Sequence, residues 1–477
     1  MATRELPRTL SLTTATAIVI GSVIGSGIFK KCSSMTDALP SPTLVLLVWV
    51  LAGVVSLIGA LCAAELTAAW PDAGGLYAHL RRALGPFWGF LYGWSTLSVI
   101  QTGSIASIAY VFAEYLRFFG GWGDVPPELA AWGVNLFGVI DIYPLRDLGT
   151  KAVAVSCITG LTVVNIVGVR PGAAIQNVFM YLKFAIMFGI IGVAAFGAGH
   201  LLSAVSGPIF PQANGLQATS VEPSFTMLAG GFAIALSGAF WAYDAWICAT
   251  YVAAEVKRPE RNMPIALVAG MAVVCIIYLL VNSAYFHLLT VDEIRNSTLV
   301  ASDALGRVLP LAGALVAAAV CLSTFGTING TALSSARVYY AMARDGLFHE
   351  RLADVHPRRQ TPHVALIVQG IWSSLLVFSG TFDQITDMLI FVSWGFYALL
   401  AVAVLVARRR FPDTPRPFKT PGYPWLPTIF IVFSVAYLIF SVAANTRNAL
   451  MGTLLVLPGI PFYFHFKKHR SAAVPRP

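Results

Sequence analysis

Apolar runs about as long as a bilayer-crossing helix, roughly 20 residues, recur along the whole chain between short polar stretches. Read by period and length, they predict twelve membrane helices at 13–37, 43–69, 85–118, 149–168, 173–200, 225–254, 263–289, 309–341, 362–380, 384–407, 425–444 and 448–466. The third and eighth are long and predict tilted helices. Only "SGTFD" separates the ninth from the tenth, and only "NTRN" the eleventh from the twelfth.

Two runs are spoiled where a span should be most regular. The first contains "IGSVIGSGIF", with Gly21, Ser22, Gly25, Ser26 and Gly27 close together. The sixth contains "ALSGAFWAYDAW", with Ser237, Gly238 and Asp244 in its middle. A break inside a bilayer strands backbone N–H and C=O groups that lipid cannot satisfy. Such a break is tolerable where a ligand or a watery cavity meets it. The half-helix before a break offers carbonyls to an ammonium; the half-helix after it offers N–H groups and a positive dipole end to a carboxylate. Five spans separate the starts of the two broken helices, so the second set begins on the opposite side of the membrane. That pattern predicts an inverted repeat, with 13–200 as the first five-helix unit, 225–407 as the second and 425–466 as two further helices, all in one membrane domain, 1–477. Close helix packing is the competing explanation for Gly21 and Gly25, which have small-xxx-small spacing.

Composition agrees with a bilayer environment. Hydrophobic residues make up 57% of the 477 and charged residues 11%, against about 25% charged in a soluble domain. The net charge of +9 does not indicate nucleic acid, because the basic residues sit in short loops between apolar runs. With the N-terminus inside, most of them fall on cytoplasmic segments, including Arg4, Arg8, Arg81, Arg82, Arg170, Arg358, Arg408, Arg409, Arg410 and Arg476. This predicts a multi-pass protein of the plasma (inner) membrane with both termini cytoplasmic. The N-terminus lacks a cleavage-site pattern and is read as a retained first helix. The six cysteines lie singly, without CxxC spacing, as small buried hydrophobes do.

Ionisable residues deep in apolar sequence are the remaining candidates. Lys183 lies about a dozen residues, or about 18 Å, past Arg170. That is deep for snorkelling, and a charge there costs about 2.5–3.5 kcal/mol on insertion scales. Asp244 is read as a cation partner, a proton carrier or a cap for the half-helix after the break. Glu65 and Glu255 end inward-going spans and are read as solvated interfacial charges. Trp241, on the second break, is read as packing against a substrate side chain. No HExxH, GxSxG or GxxxxGK[ST] motif occurs, so neither an enzyme nor ATP-driven transport by this chain is expected, and no cofactor or metal is expected.

Taken together, "IGSVIGSGIF", "GALCAAEL", "FWAYDAW…EVKRPERNMPIAL", "FGTINGTALSSARVYYAMARDG" and "LPGIPFYF" resemble the amino acid–polyamine–organocation (APC) superfamily. Within it the chain is similar to the L-type amino acid transporters (LAT) and their bacterial permease relatives, over about residues 8–468. The resemblance implies an all-α integral membrane protein of LeuT-type fold, with a 5+5 inverted repeat and discontinuous helices 1 and 6. It implies alternating-access transport of α-amino acids, often by exchange. By position, N–H groups around Gly25, Ser26 and Gly27 would hold the substrate carboxylate. Carbonyls of Val23, Ile24, Trp241 and Asp244 would hold its amine, and Ser393 would line the side-chain pocket. Lys183 falls where relatives carry a lysine that replaces a sodium ion or, in some, takes up a proton. The bulk of Trp241 points to small neutral substrates. Loop 119–148 has no cysteine, so a disulfide-linked heavy chain is not expected.

The expectation is therefore sodium-independent exchange of neutral amino acids across a lipid bilayer. Proton-coupled uptake and a cationic amino acid or polyamine permease are the alternatives, and a channel or an amino acid sensor is the reading from a different class.

Overall fold

A computed structural model describes residues 10–71, 74–136, 138, 140–168, 173–197, 225–356, 359 and 361–473. Arg4, Arg8, Arg170, Arg358 and Arg476 of the orientation argument lie outside the described residues, as does the end of the expected fifth span, 198–200.

The first apolar run folds as two helices, α1 (Leu12–Val23) and α2 (Gly27–Ala38), with Ile24–Ser26 between them. Ser41 then caps α3 (Pro42–Ala69) by accepting from Leu44 N–H, and Pro42 occupies the first turn, where no N–H is needed. The short helix α4 (Leu76–Ala83) follows. α5 (Pro86–Ser95) runs through a π-turn, Thr96–Ile100, into α6 (Gln101–Arg117). The next connection holds a one-turn helix, α7 (Pro127–Ala130), and an antiparallel hairpin pairing β1 (Val134–Leu136) with β2 (Ile140–Ile142). Neither was expected in a loop of such low periodicity.

α8 (Leu148–Val167) ends at Gly168, whose positive φ of 72° closes the helix. α9 (Ala173–Gly197) and α10 (Phe225–Tyr243) follow. α10 gives way to a 3-10 helix, Trp246–Glu255. Beyond it come α11 (Pro259–Leu288), the short helices α12 (Val291–Asn296) and α13 (Val300–Gly306), and the long α14 (Pro310–Arg344). α15 (His363–Val377) precedes α16 (Phe382–Arg410), which a Thr381–Gln384 capping box starts. α17 (Trp425–Ala444), α18 (Thr446–Val456) and α19 (Gly459–Ala473) complete the order.

Among the described residues, ten helical stretches are long and apolar enough to cross a bilayer. The fifth expected span falls on the 25-residue α9, and the ninth is a shorter apolar helix, His363–Val377. Fifteen helical residues reach about 22 Å, short of a hydrocarbon core of about 30 Å. The all-helical membrane architecture is therefore present, with ten full-length candidates where sequence periodicity gave twelve.

The pairings that matter for function bring the broken helices together. α1 packs on α11, and α2 packs on α10. α6 and α14 pack against each other, and α16 packs on both α10 and α6. The N-terminal segment is pinned by backbone bonds, Leu10 N–H to Glu255 O at 3.0 Å and Lys257 N–H to Leu10 O at 2.8 Å.

Candidate functional site

The first break lies where the sequence puts it. α1 ends when Ile24 N–H closes on Ile20 O, and α2 starts at Gly27, with Phe29 N–H reaching Ser26 O. The second break differs from expectation. Ser237 and Gly238 are helical, and the interruption falls at Asp244–Ala245, where Ala245 takes a left-handed φ of 66°. Gly238 serves packing instead: a Cβ there would fall 2.8 Å from Met35 Cγ on α2. Glycine in a membrane helix signals close approach as readily as it signals a break.

The two breaks face one cavity with about 360 Å³ of empty space. Ser22, Val23, Gly25, Ser26 and Gly27 line it from the first break; Trp241, Asp244 and Ala245 line it from the second. Ser104 and Ile108 of α6 and Thr327 and Thr331 of α14 complete the wall. Each of those pairs is spaced i,i+4, so one helix face supplies both residues. Ile24 is buried between the half-helices but does not line the cavity. Ser393 is fully buried on α16, away from the cavity lining.

The stranded backbone groups have identifiable partners. The Tyr278 hydroxyl stands 2.9 Å from Val23 O and 3.0 Å from Ala242 O, so one phenol on α11 ties the ends of both broken helices. It has one proton for two acceptors, which leaves carbonyl capacity unfilled. Lys183 Nζ donates to Gly21 O at 3.1 Å and to Thr327 Oγ1 at 3.0 Å. Gly21 belongs to the last turn of α1, where carbonyls have no helical partner and the dipole is negative. A cation on α9 therefore joins the end of the broken helix to α14.

Two cavity-lining donors have no partner among the described residues: Ser26 Oγ, in a residue 1% exposed, and Trp241 Nε1. Buried polar atoms are rarely left unbonded, and here both belong to residues that line the empty space. Asp244 is engaged already, accepting from the Tyr397 hydroxyl at 2.6 Å. The N-cap of the 3-10 helix after the break is Ala245, not Asp244.

The two glycines divide their labour in a way the sequence did not reveal. A Cβ on Gly27 would fall 2.6 Å from Ala242 Cα, so Gly27 is pressed against the second broken helix. A Cβ on Gly25 would meet nothing closer than Val23 O at 3.8 Å, so Gly25 borders open space.

Charged residues flank the site. Lys30 pairs with Glu114 of α6 at 2.5 Å. Lys31, 1% exposed, pairs with Asp383 of α16 at 2.6 Å and donates to Thr386 at 2.7 Å. Phe382 lies under both ammonium groups, with ring centroid distances of 5.6 and 4.8 Å, and meets Trp241 edge-on at 6.2 Å. A lysine doublet after an apolar run looks like an interfacial anchor, so the sequence alone does not single these residues out.

At the other end of the bundle, Glu65 is not solvated as expected. It is 1% exposed, accepts two bonds from Arg408 at 2.7 and 2.8 Å, and accepts Thr420 N–H at 2.7 Å. Its partners, Arg408 at the end of α16 and Thr420 in the connection that follows, lie more than 300 residues away, which no local pattern exposes. Glu255 does remain partly exposed, paired with Arg337 at 3.1 Å.

Two interrupted apolar helices meeting at a polar cavity, in an all-helical array of membrane-length spans, define a membrane permease. The match to known proteins makes the assignment specific: the amino acid permease family profile fits residues 10–459, and the chain belongs to that family. It is 31% identical to the human b(0,+)-type amino acid transporter 1 over 98% of this chain and 90% of that one. It is 29% identical to the serine/threonine exchanger SteT of Bacillus subtilis (strain 168), over 98% of both. It is 30% identical to the human cystine/glutamate transporter over 97% of this chain and 86% of that one. These homologues are transporters and exchangers of amino acids, not enzymes.

Proposed function

We propose that this chain exchanges small neutral α-amino acids across the plasma membrane, without sodium, by alternating access around the cavity between the two breaks. The observation that carries the reading is the set of polar groups with unused hydrogen-bonding capacity that meet between the breaks. The N–H groups that start α2, with Ser26 Oγ, suit a carboxylate. The shared carbonyls of Val23 and Ala242 suit an ammonium. The remaining wall is short and hydroxylated, from Ser22, Ser104, Thr327 and Thr331, and Trp241 shortens the room for a side chain. The likeness to a serine/threonine exchanger supports small hydroxylated substrates in particular. Lys183 holds the end of α1 by a fixed positive charge, the task a bound sodium ion would otherwise perform. Twelve spans in a 5+5 inverted repeat, with both termini cytoplasmic and no disulfide-linked partner, complete this reading.

The test is counterflow in proteoliposomes. Labelled serine should enter only vesicles preloaded with unlabelled amino acid, with no response to sodium. Accumulation driven by a pH gradient in empty vesicles would replace exchange with proton-coupled uptake. A second reading, cationic amino acid or polyamine transport, is favoured by Asp244 in the cavity wall. Inhibition of serine entry by lysine or putrescine at least as strong as that by alanine would select it.

A further inference from the structure

A second cavity, with about 300 Å³ of empty space, lies between α10, α16, α17 and α18. Its polar wall is Ser237, Asp387, Tyr437, Ser441, Asn445 and Asn448. Ser237 donates to Asp387 Oδ1 at 2.7 Å. Only the long contacts of Asn445 and Asn448 Nδ2, at 3.5 and 3.4 Å, reach Oδ2. Asp387 makes no ion pair among the described residues, although it lies on a membrane-length helix, in the second turn of α16. A carboxylate without an ion pair on such a helix is a candidate for function.

The charges around it do not balance. Lys31 runs its stem beside Gly238, the neighbour of Ser237, with Cδ 3.6 Å from that glycine's Cβ position. Its ammonium nevertheless goes to Asp383 and Thr386. Asp383 and Asp387 are i,i+4 on α16, so two carboxylates one turn apart share one lysine. Among the described residues, no second cation pairs with Asp387. On α6, Glu114 is already held by Lys30. α17 offers the Tyr437 phenol and α10 the Ser237 hydroxyl. On α18, the Arg447 guanidinium donates to Asp141 O.

We infer that Asp387 is a proton-binding site whose charge decides which carboxylate holds Lys31. The cavity is mostly apolar but has room for a water beside its polar side chains, from which a proton adds to Oδ2 and cancels the excess negative charge. With Asp387 neutral, Lys31 stays with Asp383, the arrangement in this structure. With Asp387 ionised, the ammonium is drawn toward it and the tie between α2 and Asp383 loosens. α2 begins at Gly27 in the wall of the substrate cavity, so the proton acts on the half-helix that borders that cavity.

Infrared pH-difference spectra of the purified full chain read the site directly. Acidification should bring up the carbonyl band of neutral carboxylic acids, with one component lost in Asp387→Asn and kept in Asp383→Asn and Asp387→Glu. An unchanged band in a folded Asp387→Asn protein would overturn the assignment. Labelled-serine counterflow in proteoliposomes reads the link to α2. Wild type and Asp387→Glu should vary with pH with a limiting slope of about tenfold per pH unit for one proton. Asp387→Asn should lose that dependence, and a retained slope would overturn the link. Only this second measurement rests on the amino acid reading; the infrared band stands or falls without it.

Discussion

Gly27 and Ala242 touch backbone to backbone, so the two broken helices meet at a point with no room for one more carbon. Gly27→Ala must push a Cβ into Ala242 Cα, where backbone rather than a flexible side chain has to give. Overpacking of this kind costs about 1–3 kcal/mol. Thermal melting of Gly27→Val should fall clearly below wild type, and Gly27→Ala should fall less and lose substrate-induced stabilisation. Gly25→Ala, whose Cβ enters open space, should keep its melting temperature and narrow the cavity. A wild-type melting temperature with full substrate binding in Gly27→Val would contradict the contact.

Lys183 has two neutral acceptors, Gly21 O and Thr327 Oγ1. Lys183→Ala leaves the last turn of α1 without its cation and frees α14 from it. Uptake should drop by at least an order of magnitude, since a charge-assisted hydrogen bond is worth about 1.5–3 kcal/mol. Thr327→Val should give a smaller loss of the same kind. Full uptake in Lys183→Ala would remove Lys183 from the mechanism and return it to snorkelling.

Glu65 and Arg408 form a buried bidentate pair with Thr420 as a third partner. Removing one member strands the other, at a cost of about 3–5 kcal/mol. Arg408→Ala should therefore lower the melting temperature more than the double variant Glu65→Leu with Arg408→Leu, which removes the stranded carboxylate and leaves Arg416, 3.8 Å from Glu65 Oε1 in the wild type, on its backbone carbonyls. Equal losses in the two variants would show that the pair's charge is not what stabilises this end of the bundle.

The first break was legible because Gly25, Ser26 and Gly27 cluster inside an apolar run. The second was legible only as a region. Gly238 drew attention to the wrong turn, since glycine reports close packing as well as unwinding, and Ala245, the residue that adopts the left-handed conformation, has no sequence mark. Lys183 stood out because its neighbours are all apolar. Lys31 did not, because its partners Asp383 and Thr386 lie about 350 residues away and the doublet looks like an anchor. Tyr278 was invisible for a related reason: a tyrosine in an apolar run reads as packing until its hydroxyl is seen between two helix ends. Periodicity along one helix carries burial and breaks, whereas a site built from five helices depends on pairings that one-dimensional pattern does not contain.

Tyr278 gives the sharpest test of how substrate is held. In Tyr278→Phe, Val23 O and Ala242 O both lose their shared donor. Leaving buried carbonyls unsatisfied costs about 1–3 kcal/mol, so the empty variant should melt below wild type. A substrate ammonium between the two breaks would supply the missing donor and recover part of that loss. Saturating serine should then raise the melting temperature of Tyr278→Phe by more than it raises that of wild type. A smaller shift would mean that the ammonium is bound elsewhere, or that the hydroxyl itself contacts substrate. Betaine-type analogues, whose quaternary nitrogen has no N–H to donate, separate the cases. They should fail to rescue the variant if its carbonyls are waiting for a hydrogen bond.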